Sequence, residues 1–217
     1  MFATEMAESF FRATLLVDPA HPLAKKDLGD RYQLHRTLSR AFYDPRADAG
    51  ESGEQLTAAR LLFRIEPQES HAQVVLVSRV RPNIDNLLLP SGYLLEKPVL
   101  AKITPRFADG QALRFAIHAR PASGKPRIAL KTPGEAIGWI CRKLESAGAF
   151  CLEADPMPFM WLCSKNGHRA ERLPAVDFRG GLRVADSERF AKSLPEGIGP
   201  SKCYGFGLLE LSHSPSG

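Results

Sequence analysis

The pattern of apolar residues repeats in two halves of the chain, and this repeat constrains the fold most strongly. In the first half, Phe10–Val17 is rich in strand formers, and apolar or aromatic side chains recur at helical spacing from Tyr32 to Phe42, with Asp30 as a candidate N-cap. Two short apolar segments, Ala59–Glu66 and Gln73–Val80, have the composition of buried strands. This half therefore predicts strand, helix, strand, strand.

The second half predicts the same order of elements. Ala112–Ala119 alternates apolar and polar side chains, as a half-buried strand does. Thr132 and Pro133 open a helix that ends at Gly148, with a buried face predicted at Ile137, Ile140, Cys141 and Leu144. Further strands are predicted at Phe159–Cys163, Val176–Val184 and Gly207–Leu211, and a further helix at Ser187–Ser193.

The interval between the two halves is interrupted by prolines at positions 82, 90, 98 and 105. We predict an α+β fold made of two tandem ferredoxin-like (RRM-like) βαββαβ domains. Residues 1–100 would form the domain with the helix at Tyr32. Residues 101–217 would form the domain with a basic hairpin and a glycine-rich loop near the C-terminus.

Composition narrows the class of protein. The 217 residues include 44% hydrophobic residues, enough for a packed core, and 29 Lys and Arg against 24 Asp and Glu, which favours a polyanionic partner without requiring one. The four cysteines show no two-residue spacing, so we expect reduced thiols and no zinc site. No segment has the features of a secretory signal or approaches the roughly 20 apolar residues of a membrane span, so we expect a cytoplasmic protein without a membrane partner.

Tyr32 and His35 are the strongest candidates for chemistry. Three residues apart on a helix, they share one face, directly after Arg31. Metal-free RNA cleavage needs a base for the 2′-hydroxyl, an acid for the leaving oxygen and a cation for the phosphate, and imidazole can perform either proton transfer near neutral pH. The alternative interpretation is packing and surface roles, and the spacing leaves open which residue is base and which is acid.

The segment GIGPSKCYGFG forms a second candidate, at residues 197–207. Its glycine spacing fits neither a Walker loop nor a Rossmann fingerprint, so no nucleotide or other small-molecule cofactor is expected. Glycines allow close backbone approach, while a hydroxyl and an ammonium group suit a phosphodiester. RNA binding is therefore predicted at Gly197, Gly199, Ser201, Lys202, Gly205 and Gly207, and a structural turn is the alternative.

Basic residues in turns form the third candidate. They suit an A-form stem-loop, which is recognised mainly by backbone and shape, although a solvated surface would explain them as well. We expect Arg36 on the first helix to contact phosphate. The predicted RNA-binding set continues with Arg114, His118, Arg120, Lys125, Arg127 and Lys131, and then with a second group at Lys165, His168, Arg169 and Arg172.

Three segments together resemble the CasE-type CRISPR RNA endonucleases, the repeat-processing subunits of the type I-E Cascade complex. They are RYQLHRTLSRAF at residues 31–42, RIALKTPGEAIGWICRKL at residues 127–144, and GIGPSKCYGFGLLEL at residues 197–211. The resemblance implies two ferredoxin-like domains and metal-independent cleavage at the base of a CRISPR repeat stem-loop, leaving a 2′,3′-cyclic phosphate. It also implies retention of the guide alongside other Cascade subunits.

The resemblance further implies roles at matching positions. His35 would be the main proton-transfer residue, Tyr32 would position or activate the 2′-hydroxyl, and Arg31 would bind the scissile phosphate. Lys165 is the nearest match to an assisting lysine on a hairpin, with Arg169 or Arg172 as alternatives. The competing functional hypothesis is a non-catalytic RNA-binding subunit, whereas no nucleophile-elbow pattern supports a serine or thiol hydrolase.

Overall fold

The computed structural model describes residues 8–43, 54, 56–123, 128–130, 132–158, 160–166 and 169–213. The helices are α1 (Pro22–Gly29), α2 (Arg31–Ser39), α3 (Pro133–Ser146) and α4 (Ser187–Ser193), with 3-10 turns at Arg40–Phe42, Ile84–Leu87 and Lys202–Tyr204. The strands are β1 (Phe10–Val17), β2 (Leu62–Pro67), β3 (Ala72–Ser78), β4 (Val99–Ile103), β5 (Ala112–Ala119), β6 (Ala122–Ser123), β7 (Ile128–Ala129), β8 (Ala149–Pro156), β9 (Met160–Asn166), β10 (Arg169–Val184) and β11 (Leu209–His213).

The N-terminal sheet has the strand order β2-β3-β1-β4, and all of its neighbours are antiparallel. Alternation along β1 turns Ala13, Leu15 and Val17 toward a core that also contains Leu34 and Leu38 of α2. The carboxylate of Asp30 accepts a hydrogen bond from the backbone N–H of Tyr32, at 3.0 Å, and so caps α2. The first strand and the predicted N-cap are therefore confirmed.

The C-terminal sheet has the strand order β11-β5-β10-β8, the same ferredoxin-like order, with β9 extending the first half of β10 into a hairpin. A capping box between Thr132 and Glu135 starts α3. The helix packs Ala136, Trp139, Ile140 and Leu144 onto the sheet. The predicted duplicated ferredoxin-like fold is confirmed, although Ile137 and Cys141 are only half-buried.

Several predicted boundaries were wrong. Ala59 is helical, so the second strand begins at Leu62, and α2 gives way to a 3-10 turn at Arg40. The sequence patterns missed α1, β4 and β8. Between β3 and β4, where a ferredoxin-like unit has its second helix, the described residues form only the 3-10 turn Ile84–Leu87. The predicted division between residues 100 and 101 stays a proposal; β4, which spans these two residues, pairs with β1.

An apolar cluster and an ionic network join the two halves. Phe10, Val75 and Val77 of the first sheet form a buried cluster with Leu208 of the second half. Beside it, Arg64 Nε lies 3.1 Å from Glu66 and 3.9 Å from Glu210. This junction places α2 against the β9–β10 hairpin and the glycine-rich loop. Among the described residues, no helix is long and apolar enough to cross a membrane.

Candidate active site

Tyr32 and His35 lie side by side on α2. Their ring centroids are 6.4 Å apart and the ring planes differ by 14°, so the predicted common face is present in the fold. Tyr32 also contacts Tyr204 of the glycine-rich loop, with ring centroids 6.0 Å apart, and His35 contacts Phe63 of β2 at 6.3 Å. Both rings are therefore held by aromatic neighbours from other elements.

Burial sets the protonation state of His35. Removal from water disfavours the imidazolium ion, so the pKa of His35 is lowered from its usual value of 6.5. A neutral imidazole therefore predominates at neutral pH. A neutral imidazole can accept a proton, which is the property that a general base requires.

Burial and nearby charged side chains both affect the pKa of Arg31. Burial lowers the pKa of this guanidinium, the carboxylate of Asp177 raises it and Arg64 lowers it, and the net pKa is about 10. Arg31 therefore stays cationic at neutral pH. Its position at the N-terminus of α2 places this cation four residues before His35, one helical turn away.

A groove of about 690 Å³ runs along α2. It is lined by both candidate catalytic residues and by the exposed guanidinium groups of Arg36 and Arg40. Tyr43, 51% exposed, lies at the end of the same groove. The combination of aromatic rings and cations beside Tyr32 and His35 suits an RNA backbone with accessible bases.

A second cavity, of about 190 Å³, contacts His35 from another side. Lys202 and Arg60 line it together with Glu196, which lies 3.7 Å from the Arg60 Nε. Burial lowers the pKa of Lys202, and Arg60 and Lys143 lower it further, while Glu196 raises it. The lysine predicted as an RNA contact is therefore brought to the candidate catalytic histidine.

The glycines of the loop serve packing. Gly197, Gly199, Gly205 and Gly207 all have positive φ. A Cβ added at Gly199 would lie 2.8 Å from the Trp139 ring, and one added at Gly207 would lie 2.5 Å from the carbonyl oxygen of Ile198. The alternative of a tight structural turn therefore has direct geometric support, while Ser201 and Lys202 supply the polar side chains of the loop.

His118 and Arg120 contact residues of this loop. His118 is 7% exposed, stacks on Phe206, and its Nδ1 lies 2.8 Å from Oδ1 of Asp177. His118 is therefore mostly buried, and its contact with RNA stays a prediction. Arg120 donates a hydrogen bond from Nη1 to the Ser201 hydroxyl at 3.1 Å, and Ser201 has a φ of +66°. Arg120 thus positions Ser201.

The remaining predicted cations are spread over the second domain. Arg114 lies on β5 and forms an ion pair with Glu153. Arg172 is exposed, with its guanidinium carbon 5.9 Å from the centre of the Trp161 ring. Backbone pairing places Lys165 on β9 opposite Ala170, and Arg169 on β10 opposite Asn166. Outside the described residues or side chains lie Lys125, Arg127, Lys131 and His168, and the side chains of Lys165 and Arg169.

Residues that the sequence patterns did not single out line the cavity at His35 and a further cavity in the second domain. Arg60, Arg64, Asp177 and Glu196 come from strands and loops far apart in the chain. Arg64 and Asp177 could have been found from the sequence, because each is a charged residue inside an otherwise apolar strand. Such residues are rarely buried without a partner or a function. Among the described residues, no three His, Cys, Asp or Glu side chains are grouped as a metal-binding set.

The chain has two ferredoxin-like domains, and a tyrosine and a histidine on a helix of the first domain face a basic groove. This combination defines the class: a duplicated ferredoxin-like protein with the side chains of an RNA-cleaving site. The family model described as CRISPR associated protein matches residues 11–213. This chain therefore belongs to that CRISPR-associated family.

Individual relatives agree with this assignment. The CRISPR-associated endoribonuclease Cse3 of Thermus thermophilus is 35% identical over 215 residues, which cover 91% of this chain and 97% of that protein. The structure of Thermus thermophilus Cse3 bound to an RNA representing a pre-cleavage complex is similar with a TM-score of 0.80 and 32% identity, over 94% of this chain and 99% of that one. Cas6e of Escherichia coli K-12 shares the fold, with a TM-score of 0.65, 20% identity, and coverage of 94% and 100%.

Proposed function

We propose that this chain is a metal-independent endoribonuclease that cleaves CRISPR precursor RNA at the base of the repeat stem-loop. The observation that carries the proposal is the near-parallel Tyr32 and His35 pair, which lies between two cation-lined openings. Family membership and the similarity to an endoribonuclease that has been solved with RNA support the same substrate class.

The reaction begins with attack by the 2′-hydroxyl on the adjacent phosphorus. Neutral His35 accepts the 2′-hydroxyl proton while the new O2′–P bond forms, and Tyr32 positions that hydroxyl. The P–O5′ bond then breaks, O5′ takes up a proton from solvent, and the imidazolium of His35 returns its proton to solvent. The products are a 2′,3′-cyclic phosphate and a free 5′-hydroxyl.

Negative charge that develops on the phosphate needs fixed cations nearby. Arg31 is held at the N-terminus of α2, where the helix dipole also favours an anion. Lys202 shares a cavity with His35 and supplies a second cation from the other domain. Lys165 stays a proposed assisting residue on the β9–β10 hairpin.

Beyond the scissile bond, RNA follows the groove along α2 and contacts Arg36 and Arg40. Phosphate contacts of this kind position the strand without reading its sequence. The mature guide stays bound, and the protein carries it into the Cascade complex with the other subunits. This assembly takes place in the cytoplasm, where the thiols of Cys141, Cys151 and Cys203 stay reduced.

Cleavage of a repeat stem-loop RNA in excess EDTA tests the proposal. His35→Ala should lower the single-turnover rate by about 100-fold or more and leave the RNA Kd within about threefold, because a lost proton-transfer group is worth roughly 10²–10⁴ in rate. His71→Ala, at the exposed turn between β2 and β3, is the matched control and should cleave normally. Tight binding without cleavage by the unmutated protein, on several repeats, would favour the non-catalytic alternative.

A further inference from the structure

A third cavity, of about 370 Å³, lies on the open face of the C-terminal sheet. Its walls come from β5, β10 and the segment before β9, and Arg64 reaches it from the first domain. Its volume is at the lower end of the roughly 300–1,000 Å³ range of small-molecule sites, which suits a single nucleotide. The cavity is separate from the groove along α2 and from the cavity at Lys202.

The lining combines flat apolar contact with a few polar groups. Met157, Pro158 and Met160 provide an apolar wall, and the two methionines are 44% and 40% exposed. Unbranched thioether side chains adapt to planar ligands. The cavity is also lined by Arg64 and Arg179, whose guanidinium groups can donate hydrogen bonds, and by Asp177, whose carboxylate can accept them.

Asp177 is fixed and ionised. Its Oδ1 lies 2.8 Å from Nδ1 of His118, and the backbone N–H of Met157 donates to its carbonyl oxygen at 2.8 Å. Burial raises the pKa of Asp177, but the hydrogen bond to His118 and the positive charges of His118, Arg64 and Arg31 outweigh burial and lower the pKa below its usual value. The second carboxylate oxygen can therefore serve as an acceptor for a ligand.

Arg64 has capacity left for a ligand. Its side chain is 16% exposed and its Nε faces the carboxylates of Glu66 and Glu210, at 3.1 and 3.9 Å, but within the described part of the chain its buried Nη1 forms no hydrogen bond. A buried guanidinium N–H without an acceptor is costly, so a ligand acceptor at Nη1 would relieve the deficit. Arg31 lies within electrostatic range of both Arg64 and Asp177.

We propose that this cavity binds one unpaired nucleobase of the RNA, next to the cleavage site, and selects guanine or cytosine. These two bases offer an amino donor for Asp177 and a carbonyl acceptor for Arg64 or Arg179. Uracil has no amino group and adenine has no carbonyl oxygen. The inference rests on the proposed function, because it takes RNA as the ligand and Arg31 as the residue at the scissile phosphate.

Base selection is tested by measuring the Kd of stem-loop RNAs. Each RNA carries a 2′-deoxy nucleotide at the cleavage site so that it binds without being cut. Four RNAs differ only in the first unpaired nucleotide beside the stem, on its 3′ side in one set and its 5′ side in another. In one of the two sets, the RNAs with guanine or cytosine at this position should bind about 5- to 100-fold more tightly than the RNA with uracil. The reason is that a good bidentate contact is worth roughly 1–3 kcal/mol. Asp177→Asn should reduce that ratio to about one.

The ratio of Kd values cancels any general loss of RNA affinity in the variant. Arg183→Ala removes another exposed arginine of β10, outside the cavity, and should keep the full ratio. Equal binding of all four RNAs in both sets, or an unchanged ratio in Asp177→Asn, overturns the inference. If the unmodified RNAs are nevertheless cleaved, the proposed function stands while the subsite does not.

A second measurement does not depend on cleavage. GMP, CMP, AMP and UMP are titrated into the full-length protein while the methionine methyl resonances are followed by NMR. GMP and CMP should shift the signals of Met157 and Met160, and the shifts should be lost in Asp177→Asn. An equal response to all four nucleotides, or none, contradicts selection at this cavity even where RNA cleavage succeeds.

Discussion

Gly207→Ala separates a structural role of the glycine-rich loop from a direct RNA contact. Gly207 has a φ of +90°, its N–H donates to the carbonyl of His118, and its carbonyl accepts from Ile198, both at 2.8 Å. These two hydrogen bonds fix the backbone from both sides. A Cβ at this position would lie 2.5 Å from the Ile198 carbonyl oxygen, which cannot move without breaking the loop.

The expected loss of stability has two parts. A non-glycine residue at this φ costs about 1–3 kcal/mol, and displacing a packed neighbour costs a further 1–3 kcal/mol or so. The total of roughly 2–6 kcal/mol corresponds to a fall in Tm of about 4–24 °C for a chain of this size. Urea unfolding and thermal melts without RNA measure it directly.

Two other glycines provide matched controls. Gly110 has a φ of +82° with nothing within 4 Å of an added Cβ, so Gly110→Ala should cost only about 1–2 kcal/mol. Gly29 has no positive φ and the same open space, so Gly29→Ala should be within about 1 kcal/mol of the unmutated protein. If Gly207→Ala melts like Gly29→Ala but loses RNA affinity, the structural explanation is refuted and the loop contacts RNA through Gly207.

Three further predictions concern α2 and its chemistry. Because burial lowers the pKa of His35, the cleavage rate should fall on the acid side with a midpoint below 6.5, and a midpoint above 6.5 in single-turnover kinetics would contradict a neutral buried base. Tyr32→Phe keeps the ring contacts with His35 and Tyr204 but should slow cleavage by about 100-fold, with Kd nearly unchanged in binding assays; an unchanged rate would exclude a role for the hydroxyl. Thr37→Val removes a 2.9 Å hydrogen bond to the buried carboxylate of Asp27 and should cost about 1–3 kcal/mol in urea unfolding, whereas no loss would mean that Tyr93, 3.0 Å from the same oxygen, suffices alone.

Local signals in the sequence predicted local structure well. Asp30 caps α2 and Thr132 opens α3 as their positions predict, and burial along β1 alternates from Arg12 to Val17. Helix α1 was missed because its segment PLAKKDLG has few apolar residues, and its burial depends on Ala24 and on Asp27, whose partners Thr37 and Tyr93 lie elsewhere. Tertiary contacts of this kind leave no periodic pattern.

The same distinction applies to the candidate site. The proximity of Tyr32 and His35 follows from a spacing of three on one helix, and the structure retains it. The approach of Lys202 to His35, and of Arg64 to Asp177, depends on how the second domain packs against the first. Each of these pairs joins residues from different domains, so no motif within one segment could have predicted either pair.

The central claim is metal-independent cleavage through the 2′-hydroxyl, and one substrate pair tests it most directly. A repeat stem-loop RNA and its copy with a single 2′-deoxy nucleotide on the 5′ side of the scissile bond are incubated with the protein in excess EDTA. We expect the unmodified RNA to be cut to a 2′,3′-cyclic phosphate and a 5′-hydroxyl, and the 2′-deoxy copy to bind equally well but stay intact. Cleavage of the 2′-deoxy copy, or loss of cleavage in EDTA that added metal restores, would contradict the claim.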